Sequence, residues 1–501
     1  MSFDGSFRPP IGPSPHVAPG AGFPRAGVIV HSSFQDLLSK ELSFLAQGYD
    51  IPTSYRQLLA NRSYRWLLIG GAATFAAPTG VSLILVWAVA VAYPTSAPSG
   101  FAPLALALLG ISATLPTLAA ALVSGTLADR INRRWLMIVV NAAAIVAVFG
   151  LLLVFLFRPS TSISVPGPSG FYVPLYLLLA FPLWSVVTVC SVMFRPALNA
   201  SLPRVVETAE LGTANGFLFG VAIVLSIVVS LGATGSLESR GYVLALVLPL
   251  ALYLIAQGAL YPLPTNLSQT RSGPRESFLA DAKAGYAYLW HRRVLLQLTL
   301  AALVINFLNA MAFVELGFYV RTWLNVGQPI LYGSLVAAAT LGVAVGSILI
   351  SRIHFERRVG SLLILFILGE GLTVLAFGLI RSIWLAIPDF FVFGMFPGMF
   401  QTAFLATVQA TVPDEVMGRV MAADEVGSLG LVPAGQYIGG ILTAAVGVQV
   451  TYLAAGGGTG LLSAVLATSS RVRKLGFDPG QPSRKVPLPP EPAAEPLGAI
   501  E

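Results

Sequence analysis

The sequence predicts an all-α membrane protein of twelve transmembrane helices in two six-helix halves, with both termini cytoplasmic. The composition, the row of charge-free segments and the placement of the cations between them carry this prediction. Of 501 residues, 55% are apolar and only 10% are charged, against roughly 25% charged in a soluble globular chain. The net charge of +7 suits a membrane surface or nucleic acid alike, but no stretch combines clustered Lys/Arg with stacking aromatics outside the apolar runs, which excludes a nucleic-acid groove. The single cysteine, Cys190, excludes a disulfide framework. His16, His31, His291 and His354 make no ligand pair at helical spacing, so neither a metal nor any other cofactor is expected.

A hydrocarbon core about 30 Å thick takes about 20 apolar residues of helix, the one local structure that satisfies its own backbone hydrogen bonds without water. Charge-free runs cover 66–92, 101–128, 135–157, 171–194, 211–237, 241–263, 294–314 and 322–351. Three more follow: 359–380 interrupted by Glu370, 383–413 interrupted by Asp389, and 426–470. The last is too long for one crossing and reads as two helices joined near Gly447 to Gln449. With a cytoplasmic N-terminus, twenty-five of the 29 Lys/Arg fall on the inner side, leaving only Arg158, Arg240, Arg321 and Arg381 outside. That is the bias expected because cations resist translocation.

The flanking segments differ in kind. Residues 1–32 and 471–501 read as cytoplasmic tails, the second Pro-rich, both too poor in anchoring apolar groups to order. Residues 33–65 form a juxtamembrane segment in which Phe34, Leu37, Leu38, Leu42 and Leu45 share a helical face over 33–47. The two halves span 66–263 and 294–470, and the linker 264–293 carries an amphipathic helix with Phe278, Ala282, Tyr286 and Leu289 on one side. No secretory signal is expected ahead of the first span, because no basic segment precedes a short apolar run there.

An internal repeat ties the halves together. Ala128-Asp129-Arg130-Ile131-Asn132-Arg133-Arg134 after span 2 matches Ile350 to Arg358 after span 8, and Asn199 to Arg204 after span 4 matches Gln409 to Asp414 after span 10. Two matches in order, at equivalent loops, indicate duplicated six-span units. The stretch Gly125-Thr126-Leu127-Ala128-Asp129-Arg130-Ile131-Asn132-Arg133-Arg134 resembles motif A of the major facilitator superfamily. Arg195 to Asn215, Phe278 to Arg293, and Ala406 to Val420 are similar to its bacterial exporter-like branch, which includes the enterobactin exporter. The likeness runs from about residue 55 to 470. It implies a gate on the cytoplasmic side in which Gly125, Asp129, Arg130, Arg133 and Arg134 take part, Asp129 near the start of span 11 around Arg419. Asn132 stands where that family has Gly, so the turn here would rest on an Asn that tolerates positive φ. Arg133 and Arg134 can reach lipid phosphates, and plain topological anchoring explains the three arginines as well as gating does.

An ionised group at mid-bilayer costs on the order of 3 kcal/mol on insertion scales, which makes Glu315, Asp389 and Glu370 candidate proton or substrate groups. The resembled fold places spans 1, 4, 7 and 10 around the cavity and so favours Glu315 and Asp389 over Glu370. Asn306, Asn309, Phe393, Phe396, Phe400 and Gln401 are candidate cavity-lining residues, with helix-to-helix glue or lipid-facing packing as the alternative for each. Gly216/Gly220, Gly342/Gly346, Gly394/Gly398 and Gly435/Gly439 are GxxxG pairs. The resemblance implies that the first two pack spans 5 and 8 across the halves.

These features predict a monomeric secondary transporter in the cell membrane that works by alternating access. Its partners would be the lipid bilayer, a small amphipathic or siderophore-like molecule and, as coupling ion, protons. Branch resemblance favours efflux over uptake. A lipid or lysophospholipid flippase on the same scaffold and a non-transporting sensor or scaffold are the alternatives. An enzyme is not expected, because no nucleophile–base pair, metal cluster or GxxxxGK[ST] loop occurs.

Overall fold

The computed structural model describes residues 53–93, 100–165, 170–207, 210–267, 278–353 and 358–476. The amphipathic stretch 33–47 and both tails beyond 476 and before 53 lie outside them. The account below concerns the body from Gln57 onward. Among the described residues, eleven helices are long and apolar enough to cross a membrane.

After a short helix α1 (Thr53–Ala60), α2 (Arg62–Ala90) starts where Asn61 accepts from the Ser63 and Tyr64 amides. Such a cap satisfies two of the donors a helix start leaves orphaned. Next come α3 (Phe101–Arg130), α4 (Arg133–Phe157), α5 (Leu175–Ser201) and α6 (Leu211–Leu260). Asn132 departs from expectation: its φ is −57°, and its side chain caps α4 by accepting from the Arg134 and Trp135 amides while its Nδ2 donates to Thr265 O at 3.0 Å. The turn therefore needs a capping amide, not positive φ. Asn132→Ala should cost about 1 kcal/mol, read as a lowered denaturation midpoint in mild detergent.

Helix α6 is 50 residues long and contains one non-helical residue, Gly241, at φ 80°, a conformation that favours glycine. An added Cβ at Gly80 would touch both Val229 and Pro249, residues that a straight helix would hold about 30 Å apart. The chain therefore doubles back at Gly241. Between α4 and α5 the expected start of span 4 at 171 is replaced by an antiparallel hairpin, β1 (Ser162–Ser164) with β2 (Tyr172–Pro174). Tyr93 donates to Tyr172 O at 3.0 Å, and Phe101 and Phe171 pack beside them.

The second half opens with the linker helix α7 (Phe278–His291), then α8 (Arg293–Phe313), α9 (Leu316–Thr322), α10 (Pro329–Ser351), α11 (Val359–Leu379) and α12 (Ile383–Thr411). It closes with α13 (Asp414–Leu429), α14 (Val432–Val446), α15 (Val448–Thr468) and the short α16 (Ser470–Arg473). The expected turn is present at Gly447, φ 93°. Span 7 is not continuous, since it breaks at Val314–Glu315, and α10 begins only at Pro329, seven residues later than its apolar run. Proline fits the first helical turn, whose amide has no partner in any case. On α7 the buried face is Gly285, Tyr288 and Leu289, while Tyr286 is exposed, so the expected face is rotated. Phe278 and Ala282 lie outside the described side chains.

Glycines set the closest helix contacts, with partners other than expected. A Cβ at Gly342 or Gly346 would strike the carbonyls of Phe391 or Met395, and one at Gly394 or Gly398 would strike those of Ala339 or Val343. These two pairs thus face each other within the second half, as α10 on α12. A Cβ at Gly216 or Gly220 would meet nothing within 4 Å, so these four glycines do not face one another; spans 5 and 8 do meet across the halves as expected, but through Gly333 against Thr234 and the Ser230 carbonyl. Gly435 and Gly439 seat α14 on the Phe307 and Met311 carbonyls of α8.

Candidate functional site

Among the described residues, the closest approach of the two halves lies at one end. There, Gly100 abuts Ala444, Ala107 abuts Gly440, Gly317 abuts Val86, and Gly333 abuts Thr234 and the Ser230 carbonyl. Thr114 donates to Gln436 Oε1 at 3.0 Å, the Ile330 amide donates to Glu238 Oε2 at 3.3 Å, and Trp87 stacks on Tyr332. Small residues permit this approach because backbone meets backbone.

Toward the other end, where α3 and α5 finish and α8 and α13 begin, the halves part around a cavity of about 860 Å³. The first half contributes Ala121, Ser124, Val192, Arg195, Pro196 and Asn199. The second contributes Asn306 and Asn309 of α8, Glu370 of α11, Phe400, Gln401 and Phe404 of α12, and Met421, Asp424 and Glu425 of α13. Arg195, Asn199, Gln401 and Glu425 are exposed. Asn306 and Asn309 also line a second cavity of about 440 Å³ nearer the sealed end, with Trp184, Phe313 and Gln436. The two amides thus form the floor between the sealed end and the open mouth.

Hydrogen bonds fix the floor. Asn306 Nδ2 donates to Ser428 O at 3.1 Å, and Asn309 Nδ2 donates to Glu370 Oε1 at 2.7 Å. Glu370 is 4% exposed and reaches the cavity from span 9, although the fold-based expectation set it behind Glu315 and Asp389. Glu315 is 0% exposed at the break between α8 and α9, both its oxygens lack hydrogen-bond partners, and neither it nor Asp389 lines either cavity. Deeper in the mouth, Thr299 Oγ1 donates to Asp424 Oδ1 at 2.5 Å.

Of the aromatic candidates, Phe400 and Gln401 line the larger cavity. Phe393 instead packs on Phe313 and Phe390, in a cluster with Tyr319, Phe377 and Tyr452, and Phe396 lies against Gly369. Sequence reading missed Asp424, Glu425 and Arg195. The two acids precede the charge-free run 426–470 and Arg195 directly follows the run 171–194, so each sits at the edge of an apolar segment, although each lies within a helix.

At the expected gate the side chains of Gly125, Asp129 and Arg130 lie outside the described residues. Arg133 Nη1 donates to Ala200 O and Leu267 O at 2.8 and 3.0 Å, and Arg134 Nη2 donates to Tyr261 O. Both arginines therefore brace the ends of the first half's helices, a role apart from the expected reach to lipid. Next to the mouth, α7 docks on α13, where a Cβ at Gly285 would strike the Arg419 carbonyl. Tyr286 is only partly covered there; that partial burial, and then the charge of Asp424, push its phenol up from its ordinary value.

Residues 57–497 match the family model described as Transmembrane secretion effector. A relative from Bacillus subtilis (strain 168), the MFS-type transporter YfiS, is 28% identical over 374 residues, covering 71% of this chain and 82% of its own length. Among solved structures, nucleoside transporter NupG superposes with a TM-score of 0.61 at 12% identity, over 81% of this chain and 99% of that one. Peptide transporter POT gives 0.62 at 13%, over 83% and 96%. The inward-open xylose transporter XylE from E. coli gives 0.59 at 11%, over 84% and 98%. At such identities the likeness shows a shared fold.

Proposed function

We propose that this chain, which belongs to the transmembrane secretion effector family of MFS transporters, is a secondary transporter that exports a small amphipathic or siderophore-like molecule. Membership of a transporter family on a multi-pass helical scaffold is the part shared with its relatives; direction, substrate and coupling are our reading. One observation carries it: a water-accessible cavity lies between two halves that are sealed at one end and parted at the other. A solute entering the mouth would be released if the seal opened while the mouth closed, which is alternating access by rocking of two bundles.

Twelve crossings are our reading of the eleven apolar helices among the described residues, with the reversal at Gly241 as a turn between two of them, and an even number would return the chain to the side it started from. The cation bias makes that side cytoplasmic, so the mouth faces the cytoplasm and the hairpin β1–β2 faces outward. Export is supported by the family's description as a secretion effector. On this reading Arg133 and Arg134 belong to the cytoplasmic gate region as braces.

Glu370 is the group we assign to proton coupling, because it is the one of the three intramembrane acids, Glu315, Asp389 and Glu370, that reaches the cavity. Its partner Asn309 lies on the helix that must move when the seal opens. In inverted vesicles, Glu370→Gln should lose the component of substrate flux that depends on an imposed pH gradient, whereas Glu315→Gln and Asp389→Asn should keep it. Gradient-driven flux through Glu370→Gln at the wild-type level would remove the assignment.

A further inference from the structure

We infer that the cavity selects an organic cation, an amphipathic molecule bearing a protonated amine or similar positive centre, over an anion of the same size. The inference rests on the transporter reading and deepens it by naming the substrate class.

The two walls of the cavity differ in charge. Glu370, Asp424 and Glu425 all stand on the second half, and among the described residues Arg195 is the sole cation lining the cavity. Arg195 belongs to the first half and holds its guanidinium over the Phe75 ring at 5.6 Å, an interaction that already occupies one of its faces. Low-dielectric walls focus the field of the three carboxylates into the space between.

The hydrogen-bond inventory of the floor points the same way. Asn309 spends its Nδ2 on Glu370 Oε1, and Asn306 spends its Nδ2 on the Ser428 carbonyl. Asn309 Oδ1 is buried without a partner. Each amide keeps a second N–H, so the floor holds neutral donors, but its one charged group is the Glu370 carboxylate and beside it stands the free Asn309 Oδ1, a pair that suits an ammonium, a pure donor. An anion there would meet the negative charge of the second half's wall, so of the two kinds of substrate proposed above the inference keeps the amphipathic one and disfavours a siderophore rich in catecholate or carboxylate groups. The apolar body of such a cation has Ile305, Phe400, Phe404 and Met421 to lie on, and polarizable Met beside aromatic faces adapts to varied shapes.

Tetraphenylphosphonium and tetraphenylborate share one shape and carry opposite charge, so their binding to the full chain in neutral detergent, measured by calorimetry against a micelle blank, isolates the sign. The phosphonium should bind about tenfold tighter or more. Glu370→Gln and Asp424→Asn should each weaken it by about tenfold while leaving tetraphenylborate unchanged or tighter. Glu207→Gln, an exposed acid outside the cavity, makes the same change in net charge and should alter neither. Equal affinities, tighter tetraphenylborate, no binding of either ion, or insensitivity to both cavity substitutions would overturn the inference. Phosphonium that binds as expected but is never carried into proteoliposomes under any gradient would instead sink the transporter reading.

Discussion

Gly394→Leu should fail to assemble the second half. A side chain at Gly394 falls on the Ala339 carbonyl, while the reciprocal positions Gly342 and Gly398 fall on the carbonyls of Phe391 and Val343. Neither neighbour is the free end of a side chain, so α10 and α12 would have to separate along their length. Overpacking a well-filled core costs typically 1–3 kcal/mol. Here backbone must yield and the Ser347 Oγ to Gly398 O bond of 3.2 Å is lost with it, so about 3 kcal/mol or more is expected. Purified protein should show a collapsed yield of monodisperse material and a denaturation midpoint far below wild type. Gly220→Leu is the matched control. A Cβ added at the exposed Gly220 would meet no other helix within 4 Å, and leucine is the better helix former by under about 1 kcal/mol, so its midpoint should equal or exceed wild type. Comparable melting of the two variants would show that the seam between α10 and α12 does not hold the half together. A well-folded but inactive Gly220→Leu would indicate that the open space beside α6 is filled when the mouth closes.

Much of this arrangement was legible in the residues. Charge-free runs locate helices because each must satisfy its own backbone in lipid, and Gly447 ends α14 where the longest run had to turn. Which face of each helix looks inward was not legible, because a helix that is apolar all round carries no amphipathic signal. That is why Glu315, Asp389 and Glu370 could not be ranked: the pairing of Asn309 with Glu370 joins residues 61 positions apart, set by packing and not by local pattern. The same gap explains the glycines. A GxxxG pair announces a close contact but not its partner, and Gly342/Gly346 turned to α12 within their own half. The break at Val314–Glu315 has no Pro or Gly to mark it, and the Ser162–Ser164 hairpin is too short for alternation to register. Asp424 and Glu425 precede the charge-free run 426–470, so hydropathy alone does not place them in the bundle, whereas α13 carries them into the cavity wall.

A disulfide across the seal should stop transport completely and reversibly. In a Cys190→Ala background, the chain's sole cysteine being removed, Gly100→Cys with Ala444→Cys puts the two thiols at the sealed end. A Cβ built at Gly100 lies 2.9 Å from the Ala444 Cβ, against about 3.5–4.5 Å in a disulfide. The backbones therefore need to part by under about 1 Å, and Gly100 sits in the turn that starts α3, where such a shift is cheap. Once bridged, α3 and α14 cannot separate at this end, whereas the mouth between α5 and α13 stays parted. Substrate flux in proteoliposomes should fall to the liposome background on oxidation and return with dithiothreitol, while tetraphenylphosphonium binding from the mouth persists in the bridged protein. A sensor or scaffold would keep its function in the bridged form, because nothing in that role requires the seal to open. Full flux through protein shown by mass to be cross-linked would mean that solute never passes between α3 and α14, and the rocking of two halves about this cavity would have to be abandoned.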